Sequence, residues 1–259
     1  MSLALGLALA GCVPPRSLPD REVHWVEATL TASGGSTLEG IYRHRTERGN
    51  GSVWRVVTDR TEGVVSAPRS PPLTFDSARP SAADPWPLVL QHAIAAVPAE
   101  VRLDDRGRPL SLLDPEHWAA QARQAVDQAD VPGASADALI DPDGFVVNLA
   151  RTFPGLPAAH EEWRRTERLA GLVAHRTERC GPKRRDGGHR VVRCEGSAVA
   201  EPSTRGDLFD TSCWTEVHWD AEGLLKVESG YSGTLITSGE GPDPVDLPIA
   251  GQRLLARER

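Results

Sequence analysis

The clearest alternation of hydrophobic and polar positions lies between Cys213 and Thr237. From Cys213 to Trp219, every second residue is suited to a core, and the residues between them are mostly polar. This period of two is typical of a strand with one buried face. The segment Asp220-Ala-Glu-Gly223 then predicts a turn, because Asp favours its first position and Gly accepts a positive φ at its end.

The register of this hairpin follows from the turn and the apolar pattern together. A three-residue loop that closes on Gly223 is a common hairpin connection. It predicts the pairs Asp220–Leu224, Trp219–Leu225, Val217–Val227 and Cys213–Tyr231. The apolar residues of both strands then share one face, whereas a two-residue loop would set Val217 against Lys226 and mix the faces.

The same periodicity divides the remaining chain into strands, then helices, then strands. Three strands are predicted at about 22–32, 37–47 and 52–65, and the glycine-rich segments between them favour an antiparallel meander. Residues 66–83 predict a long connection. After the helices, strands are predicted at about 162–180, 189–199, 211–220, 224–237 and 245–257.

The predicted helices all begin with an Asp-Pro pair, at Asp84-Pro85, Asp114-Pro115 and Asp141-Pro142. Asp caps the free amides of a first turn, and Pro tolerates the first helical position. The helices extend to about 97, 130 and 152. Apolar stripes are predicted as Trp86, Leu90, Ile94 and Val97 on the first helix, and Trp118, Ala122, Ala125 and Ala129 on the second. Between these helices, residues 100–113 predict a strand pair.

This order predicts an α+β fold: a large curved antiparallel sheet with two or three helices packed on one face, in a single domain from 22 to 259. Many long strands around few helices favour the curvature. In its order of elements, the layout is similar to the lipoprotein-carrier folds of the bacterial envelope. That resemblance implies a hydrophobic cavity enclosed by the sheet.

The N-terminus carries a targeting pattern. An apolar run ends in Leu9-Ala10-Gly11-Cys12, which resembles the lipobox of bacterial lipoproteins. The resemblance implies that residues 1–11 are a signal peptide, that Cys12 is acylated, and that 12–21 form a tether to the membrane. In enteric lipoproteins an Asp after the lipidated Cys retains the protein at the inner membrane. Val13 stands there instead, which implies the outer membrane, facing the periplasm.

The composition of the chain restricts the classes of partner that we expect. The chain has 259 residues, a formal net charge of −7 and no long basic run. A nucleic-acid partner is therefore not expected, and the predicted partners are the membrane and an apolar ligand or an envelope protein.

Three cysteines remain for disulfide chemistry, which an exported protein permits. If Asp186-Gly187-Gly188 forms a three-residue loop, Cys180 faces Cys194. Pairing of Cys194 with Cys213 is the alternative. Three reduced, buried thiols are also compatible with the sequence.

No motif predicts a catalytic residue, a metal site or a cofactor. The zinc-protease string is absent, because Arg164 stands where the second His belongs after His160-Glu161. His24 and His218 lie on predicted strands and could meet as metal ligands, but a lone strand His is more often a structural residue. A hydrolase would require His24, His218 and Asp220 to converge in one cleft.

The chain has seven Trp but only two Tyr. Most of these Trp are predicted to be core anchors. Trp214 is the exception, because its parity places it on the face opposite Val217 and Trp219. The sequence thus favours a non-enzymatic envelope lipoprotein that binds an apolar ligand or a protein. The alternative is a glycan-binding module that uses exposed Trp such as Trp214, and a hydrolase is less favoured.

Overall fold

The structure is a computed structural model that describes residues 22–49, 52–81, 83–129, 131, 140–169, 172–202, 206–238 and 244–258. The predicted signal peptide (1–11) and the predicted tether with Cys12 lie outside the described residues.

An antiparallel sheet dominates the described residues and contains thirteen strands. The strands are β1 Val23–Ser33, β2 Ser36–Arg48, β3 Val53–Ser66, β4 Leu73–Asp76, β5 Ala99–Leu103, β6 Pro109–Leu112, β7 Glu162–Leu169, β8 Leu172–Cys180, β9 Arg184–Asp186, β10 His189–Ala200, β11 Asp207–Asp220, β12 Gly223–Ser238 and β13 Pro244–Arg257. Their order is β6-β5-β3-β2-β1-β13-β12-β11-β10-β8-β7, with β4 on β3 and β9 on β10.

The first strand, β1, and the last strand, β13, pair with each other in the middle of the sheet. The predicted meander of β1, β2 and β3 is confirmed. A large antiparallel sheet with a few helices, as expected of the α+β class, is therefore present. Two predicted boundaries were wrong: the connection 66–83 contains β4, and the segment 162–180 forms two strands, β7 and β8.

The described helices are α1 Trp86–Ala95, α2 Pro115–Gln128 and α3 Pro142–Thr152. Asp114 caps α2 by accepting from the amide of His117 at 3.0 Å, and Asp141 caps α3 by accepting from the amide of Gly144 at 2.9 Å. Both confirm the predicted helix starts.

The predicted cap of α1 by Asp84 was wrong, although the helix begins at Trp86, directly after the predicted Asp84-Pro85 pair. Asp84 accepts from the amide of Ser81 at 2.8 Å, and α1 begins without a side-chain cap. The predicted stripe of α1 also fails at Trp86, which is 59% exposed, while Leu88 and Leu90 are buried. The stripe shifts because α1 turns Leu88 toward Gly63 of β3, where the absent side chain leaves room for it.

The hairpin of β11 and β12 differs from its predicted turn. Asp220 pairs with Gly223 across a two-residue loop, and Trp219 pairs with Leu224 rather than Leu225. A β-bulge then shifts the register by one residue. Beyond the bulge, Val217 pairs with Val227 and Cys213 with Tyr231, as the apolar pattern predicts.

The hairpin of β9 and β10 also has a shorter loop than predicted. Its loop is Gly187-Gly188, with φ of 53° and 89°, so the predicted three-residue loop was wrong. Two positive φ values in succession are the requirement of a type I′ turn, which glycine meets without strain. The segment between Cys180 and Arg184 is one residue longer than the segment of β10 opposite it. This extra residue compensates for the shorter loop, so Cys180 pairs with Cys194. These two residues form a disulfide, and Cys213 is a buried free thiol.

We call the helix-facing side of the sheet the inner face. Its larger apolar cluster joins strand residues such as Trp25, Trp54 and Val217 to Trp118 of α2 and to Phe153, which directly follows α3. A second cluster lies on the inner-facing positions of β7 to β13, where the described helices contribute no residue. Its members are Leu169, Leu172, Ala174, Ala198, Ala200, Leu208, Cys213, Tyr231, Leu235 and Ile249. None of the described helices has the length and hydropathy needed to cross a membrane.

Candidate functional site

A cavity of about 350 Å³ lies between the inner face and the helices. The strands β1, β2, β3 and β13 form one wall, and α1, α2 and α3 form the other. The strand wall consists of Glu27, Thr29, Thr31, Leu38, Tyr42, His44, Val56, Thr58 and Arg253. The helix wall consists of Gln91, Ile94, Ala95, Trp118, Gly144, Phe145, Asn148, Leu149, Arg151 and Thr152, with the capping residue Asp141 beside them.

The two walls differ in chemistry. The strand wall is mostly polar, while the middle of the helix wall is apolar, with Ile94, Trp118 and Phe145 among its residues. The polar residues Gln91 and Asn148 of the helix wall are exposed, which places solvent access between α1 and α3. The cavity can therefore take a molecule with an apolar body and a polar group.

Glu27 is the centre of the strand wall. It is 3% exposed, and its carboxylate lies 2.7 Å from Nε2 of His44, 2.6 Å from Nε of Arg253 and 3.3 Å from the hydroxyl of Thr152. Burial by itself would raise the pKa of Glu27. The positive charge of Arg253 and the hydrogen bond with His44 outweigh that effect and hold the pKa at about 2.

The pKa of Arg253, the cationic partner of Glu27, is also lowered. Burial and the nearby charge of Arg151 lower its pKa to about 10, which leaves it protonated at neutral pH. Its Nη1 donates to the hydroxyl of Thr152 at 3.3 Å. Two guanidinium groups, those of Arg253 and Arg151, and two carboxylate residues, Glu27 and Asp141, thus line the cavity.

His44 joins this carboxylate to a hydroxyl, because its Nδ1 lies 3.0 Å from the hydroxyl of Thr58. A hydroxyl, an imidazole and a carboxylate in this order can activate a nucleophile. Here, however, the carboxylate of Glu27 is shared with Arg253 and Thr152, so it is already neutralised. We interpret the arrangement as a structural hydrogen-bond network in the cavity wall.

Buried charges continue from the cavity across the inner face. The buried charge layer comprises Glu27, Arg151, Arg165, Glu167, Arg176, Glu178 and Arg253. Beyond the cavity, Arg151 lies 3.4 Å from Glu167, and Arg176 bridges Glu167 at 2.8 Å and Glu178 at 2.7 Å. Arg165 completes the layer with a 2.5 Å contact to Glu178. The layer holds four guanidinium groups and three carboxylates, and Asp141 adds a further carboxylate to the cavity lining beside it.

Cys213 lies beside this layer but is not an activated nucleophile. Burial raises the pKa of its thiol to about 11, and the carboxylates of Glu167 and Glu178 act in the same direction. The thiol is therefore neutral at physiological pH, and a neutral thiol is a weak nucleophile.

Trp214, the predicted ligand contact, lies on the outer face and is half-buried. Its ring covers Gly230, where an added Cβ would lie 2.6 Å from the indole nitrogen, and the guanidinium of Arg193 lies 4.9 Å from the ring centroid. It lines a hollow of about 870 Å³ with Leu30 and Leu254, on the side of the sheet opposite the cavity.

A glycan site would require at least two open Trp faces on one surface. Trp25, Trp54, Trp118, Trp163 and Trp219 are buried. Of the two others, Trp214 lines the outer hollow, while Trp86 of α1 lines a separate hollow with His92. This arrangement does not favour the glycan-binding alternative.

The residues considered for a hydrolase or a metal are not brought together. His24 lies on β1 and His218 on β11, with β13 and β12 between them. His24 is 3.1 Å from Glu22 and His218 is 2.9 Å from Glu216, while Asp220 accepts from amides of its own turn. Within the described ranges, no group of three or more His, Cys, Asp or Glu side chains is arranged to hold a metal ion.

Sequence reasoning missed the polar residues of the strand wall and the buried charge layer. A signal was present on β7, where Arg165 and Glu167 have the same parity as Trp163 and Leu169. The same holds for Arg176 of β8. Charged residues at inward-facing positions of a strand predict a buried polar network when the neighbouring positions on that face are apolar.

No protein-family model and no curated protein matches this chain. Among solved structures, the chain is similar to a structure of lipid–protein interactions in lipovitellin, with a TM-score of 0.53 and 12% identity over 93% of this chain. The match covers 25% of the lipovitellin chain, so this protein spans about a quarter of that length. At this identity the likeness concerns the fold alone. Two porin variants from Rh. blastica align over 92% of this chain and 99% of theirs, at 7% and 8% identity, but a TM-score of 0.16 carries no structural argument.

Proposed function

We propose that the protein is an envelope lipoprotein that holds a small amphiphilic ligand in the cavity between its sheet and its helices. The observation that carries this proposal is the cavity itself, with a polar strand wall and a largely apolar helix wall. Its volume of about 350 Å³ lies at the lower end of ligand pockets, which range over roughly 300–1,000 Å³. A single-chain molecule suits this volume better than a lipid with several acyl chains.

Curvature of the sheet around the cavity is part of the proposal. Thr152 contacts Glu27 on β1, while the adjacent Arg151 contacts Glu167 on β7. Six steps of the strand order separate β1 from β7, which would be about 29 Å in a flat sheet. Two adjacent residues of α3 cannot span that distance. The contacts therefore support a sheet that bends until both strands approach α3.

The described segment after α3 supports the same curvature. Arg106, in the turn after β5, lies 2.7 Å from Glu161, which precedes β7. The carbonyl of Arg106 also accepts from the amide of Leu156 at 3.2 Å. Because β5 and β7 lie near opposite edges of the sheet, these bonds favour a wrapped arrangement. The fold shared with lipovitellin, whose solved structure concerns lipid–protein interactions, is compatible with an apolar ligand here.

The ligand proposal is tested by filling the cavity. Ala95 of α1 is half-buried and lines the helix wall, so Ala95→Phe places a ring in the cavity. We expect this variant to bind decanol at least about tenfold more weakly than the unmodified chain in titration calorimetry, because the ring competes for the same volume. Ala120→Phe, on the exposed side of α2, is the matched control and should bind normally. Equal binding by both variants, or no binding by the unmodified chain, would contradict a ligand cavity.

Membrane anchoring is proposed from Leu9-Ala10-Gly11-Cys12 alone. We expect the mature chain to begin at Cys12 and to carry acyl groups, and we expect globomycin to block its maturation. Mass measurement of the N-terminus with and without globomycin checks this. A chain that retains Met1 and an unmodified thiol at Cys12 would refute the anchor and leave the ligand proposal standing.

A further inference from the structure

The hairpin of β9 and β10, together with the residue before it, carries four positive charges far from the cavity lining. We call these residues, Lys183, Arg184, Arg185 and Arg190, the basic hairpin. On the premise of the lipid anchor proposed at Cys12, and independently of the cavity, we infer that the basic hairpin docks on the phosphate head groups of an anionic phospholipid surface.

The cations of the basic hairpin are all exposed. Within the described part of the chain, none of them forms an ion pair with a carboxylate. The neighbouring turn between β11 and β12 contributes Asp220 and Glu222, but Arg257 lies 3.5 Å and 3.7 Å from these two carboxylates. The positive charge of the basic hairpin is therefore available to an external anion.

The hairpin itself contains one carboxylate, Asp186, which lies on the opposite face from two of the arginines. Arg185 pairs directly with Arg190, so both side chains project from the same face of the hairpin. Asp186 pairs with His189, on the other face. Like charges that stand directly opposite each other destabilise a pair of strands. An anionic surface against Arg185 and Arg190 would offset this repulsion.

Lys183 extends the cationic face of the hairpin. Its Nζ lies 5.6 Å from the ring centroid of Trp219, and Trp219 pairs with Arg190 across β10 and β11. The disulfide between Cys180 and Cys194 joins β8 to β10 at the base of the hairpin. Three cations thus lie together on one face, on a short edge hairpin that is covalently held at its base.

The basic hairpin lies at the end of the sheet where β1 begins. The start of β1 lies beside the end of β13, which is followed in the sheet by the start of β12, the end of β11 and the start of β10. Glu22, the first described residue, directly precedes β1. Residues 12–21 span at most about 36 Å when fully extended. An acylated Cys12 would therefore hold this end of the sheet close to the membrane surface.

The opposite end of the sheet carries negative charge. Asp207 and Asp210 of β11 and Asp246 of β13 are exposed near the starts of their strands. The 12 residues of β10 separate the two ends by roughly 40 Å. Charges are screened over about 8 Å at physiological ionic strength, so these carboxylates do not cancel an attraction at the hairpin. They disfavour the reverse orientation, which would bring them against an anionic surface.

Vesicle sedimentation tests the docking, on the full chain with Cys12→Ser, which removes the acylation site. The probes are vesicles of equal parts phosphatidylglycerol and phosphatidylcholine, and vesicles of phosphatidylcholine alone. We expect binding to the anionic vesicles to be at least about tenfold tighter and to weaken as salt is added, because the attraction is screened. The apolar run before Cys12 is common to both measurements and favours neither vesicle by charge.

A triple variant locates the interaction on the hairpin. Lys183→Gln, Arg185→Gln and Arg190→Gln together should weaken binding to the anionic vesicles at least about thirtyfold, because each cation near such a surface contributes about fivefold. Replacing the same two arginines by Lys, which keeps their charge, should leave most of the binding intact. Circular dichroism of each variant verifies that the fold is retained.

The matched control combines Arg69→Gln, Arg79→Gln and Arg123→Gln, three exposed arginines outside the hairpin. It changes the net charge by the same amount and should bind like the unmodified chain. Equal binding to both kinds of vesicle, or an equal effect of the two triple variants, would overturn the docking. Displacement by inorganic phosphate at constant ionic strength would assign a free-phosphate site and would also overturn it. Since the tested chain carries no acyl group, an unmodified Cys12 in the native protein would refute the anchor without changing the vesicle result.

Discussion

Buried charges are arranged differently in the two halves of the inner face. In the half formed by β7, β8, β10 and β11, Arg165 and Arg176 face Glu167 and Glu178, two cations against two anions in direct contact. In the half formed by β1, β2, β3 and β13, Glu27 lies 2.6 Å from Arg253, and a cavity that Arg151 and Asp141 also line remains beside them. The charges of the first half are in direct contact with one another, whereas those of the second half border a cavity.

The two halves therefore differ in the surroundings of their buried charges. Both halves contain carboxylates whose pKa values lie at about 2, those of Glu167 and Glu27, so low pKa values do not distinguish them. They differ in the space beside the charges. The two Nη atoms of Arg176 bond to two carboxylates, the hydroxyl of Thr215 and the carbonyl of Trp214. At the cavity, the helices hold the opposite wall away from the strands and leave room for a ligand.

The largest effect on stability is expected from removing a charge from the cluster on β7 and β8. Glu178 is fully buried and accepts from Arg165 at 2.5 Å, from Arg176 at 2.7 Å and from Thr215 at 3.1 Å. Glu178→Gln leaves two buried guanidinium groups with one carboxylate, so we expect a loss of about 3–5 kcal/mol in the free energy of unfolding. Urea unfolding measures this loss.

Glu162→Gln is the control for that measurement, because Glu162 forms an exposed pair with Arg164 on the same strand. Exposed pairs contribute little to stability. If both variants unfolded at the same urea concentration, the buried charge layer would not be a structural element.

A smaller effect, dependent on pH, is expected at the cavity. The pKa of Glu27 is about 2 in the folded chain, against its ordinary value of 4.5, so its folded-state pKa is depressed. Its stabilising contribution is fully present above pH 4.5 and is lost as the pH falls through about 2. The shift corresponds to about 3 kcal/mol, as an order of magnitude. Glu27→Gln should therefore be less stable than the unmodified chain at pH 7, and the difference should shrink toward pH 2.

Urea unfolding at pH 7, 4.5, 3 and 2 checks this expectation. Glu39→Gln, an exposed residue of β2 on the outer face, should not change the pH profile. A difference between Glu27→Gln and the unmodified chain that stayed constant down to pH 2 would show that Glu27 acts through packing and not through its charge.

The two hairpins show how far local patterns predict a register. In both, the loop has two residues and not three, yet the distant pairs Val217–Val227 and Cys180–Cys194 match the prediction. The pairing far from the turn depends on which side chains face the core, and the alternation of apolar and polar residues indicates that directly. The loop depends on local backbone geometry, and a one-residue bulge reconciles the two requirements. Bulges leave no distinct mark in the alternation of a short strand.

The sequence by itself determined most of the strands, two of the three helix caps and the apolar face of the β11–β12 hairpin, because these depend on neighbours along the chain. Only the tertiary structure decided that β13 returns to β1, since many strand orders satisfy the same alternation. It also decided that Glu27, Arg151 and Arg253 meet at one cavity. They lie on β1, α3 and β13, more than 100 residues apart along the chain, and side chains so distant are brought together by the pairing of strands and the packing of helices, not by local propensity.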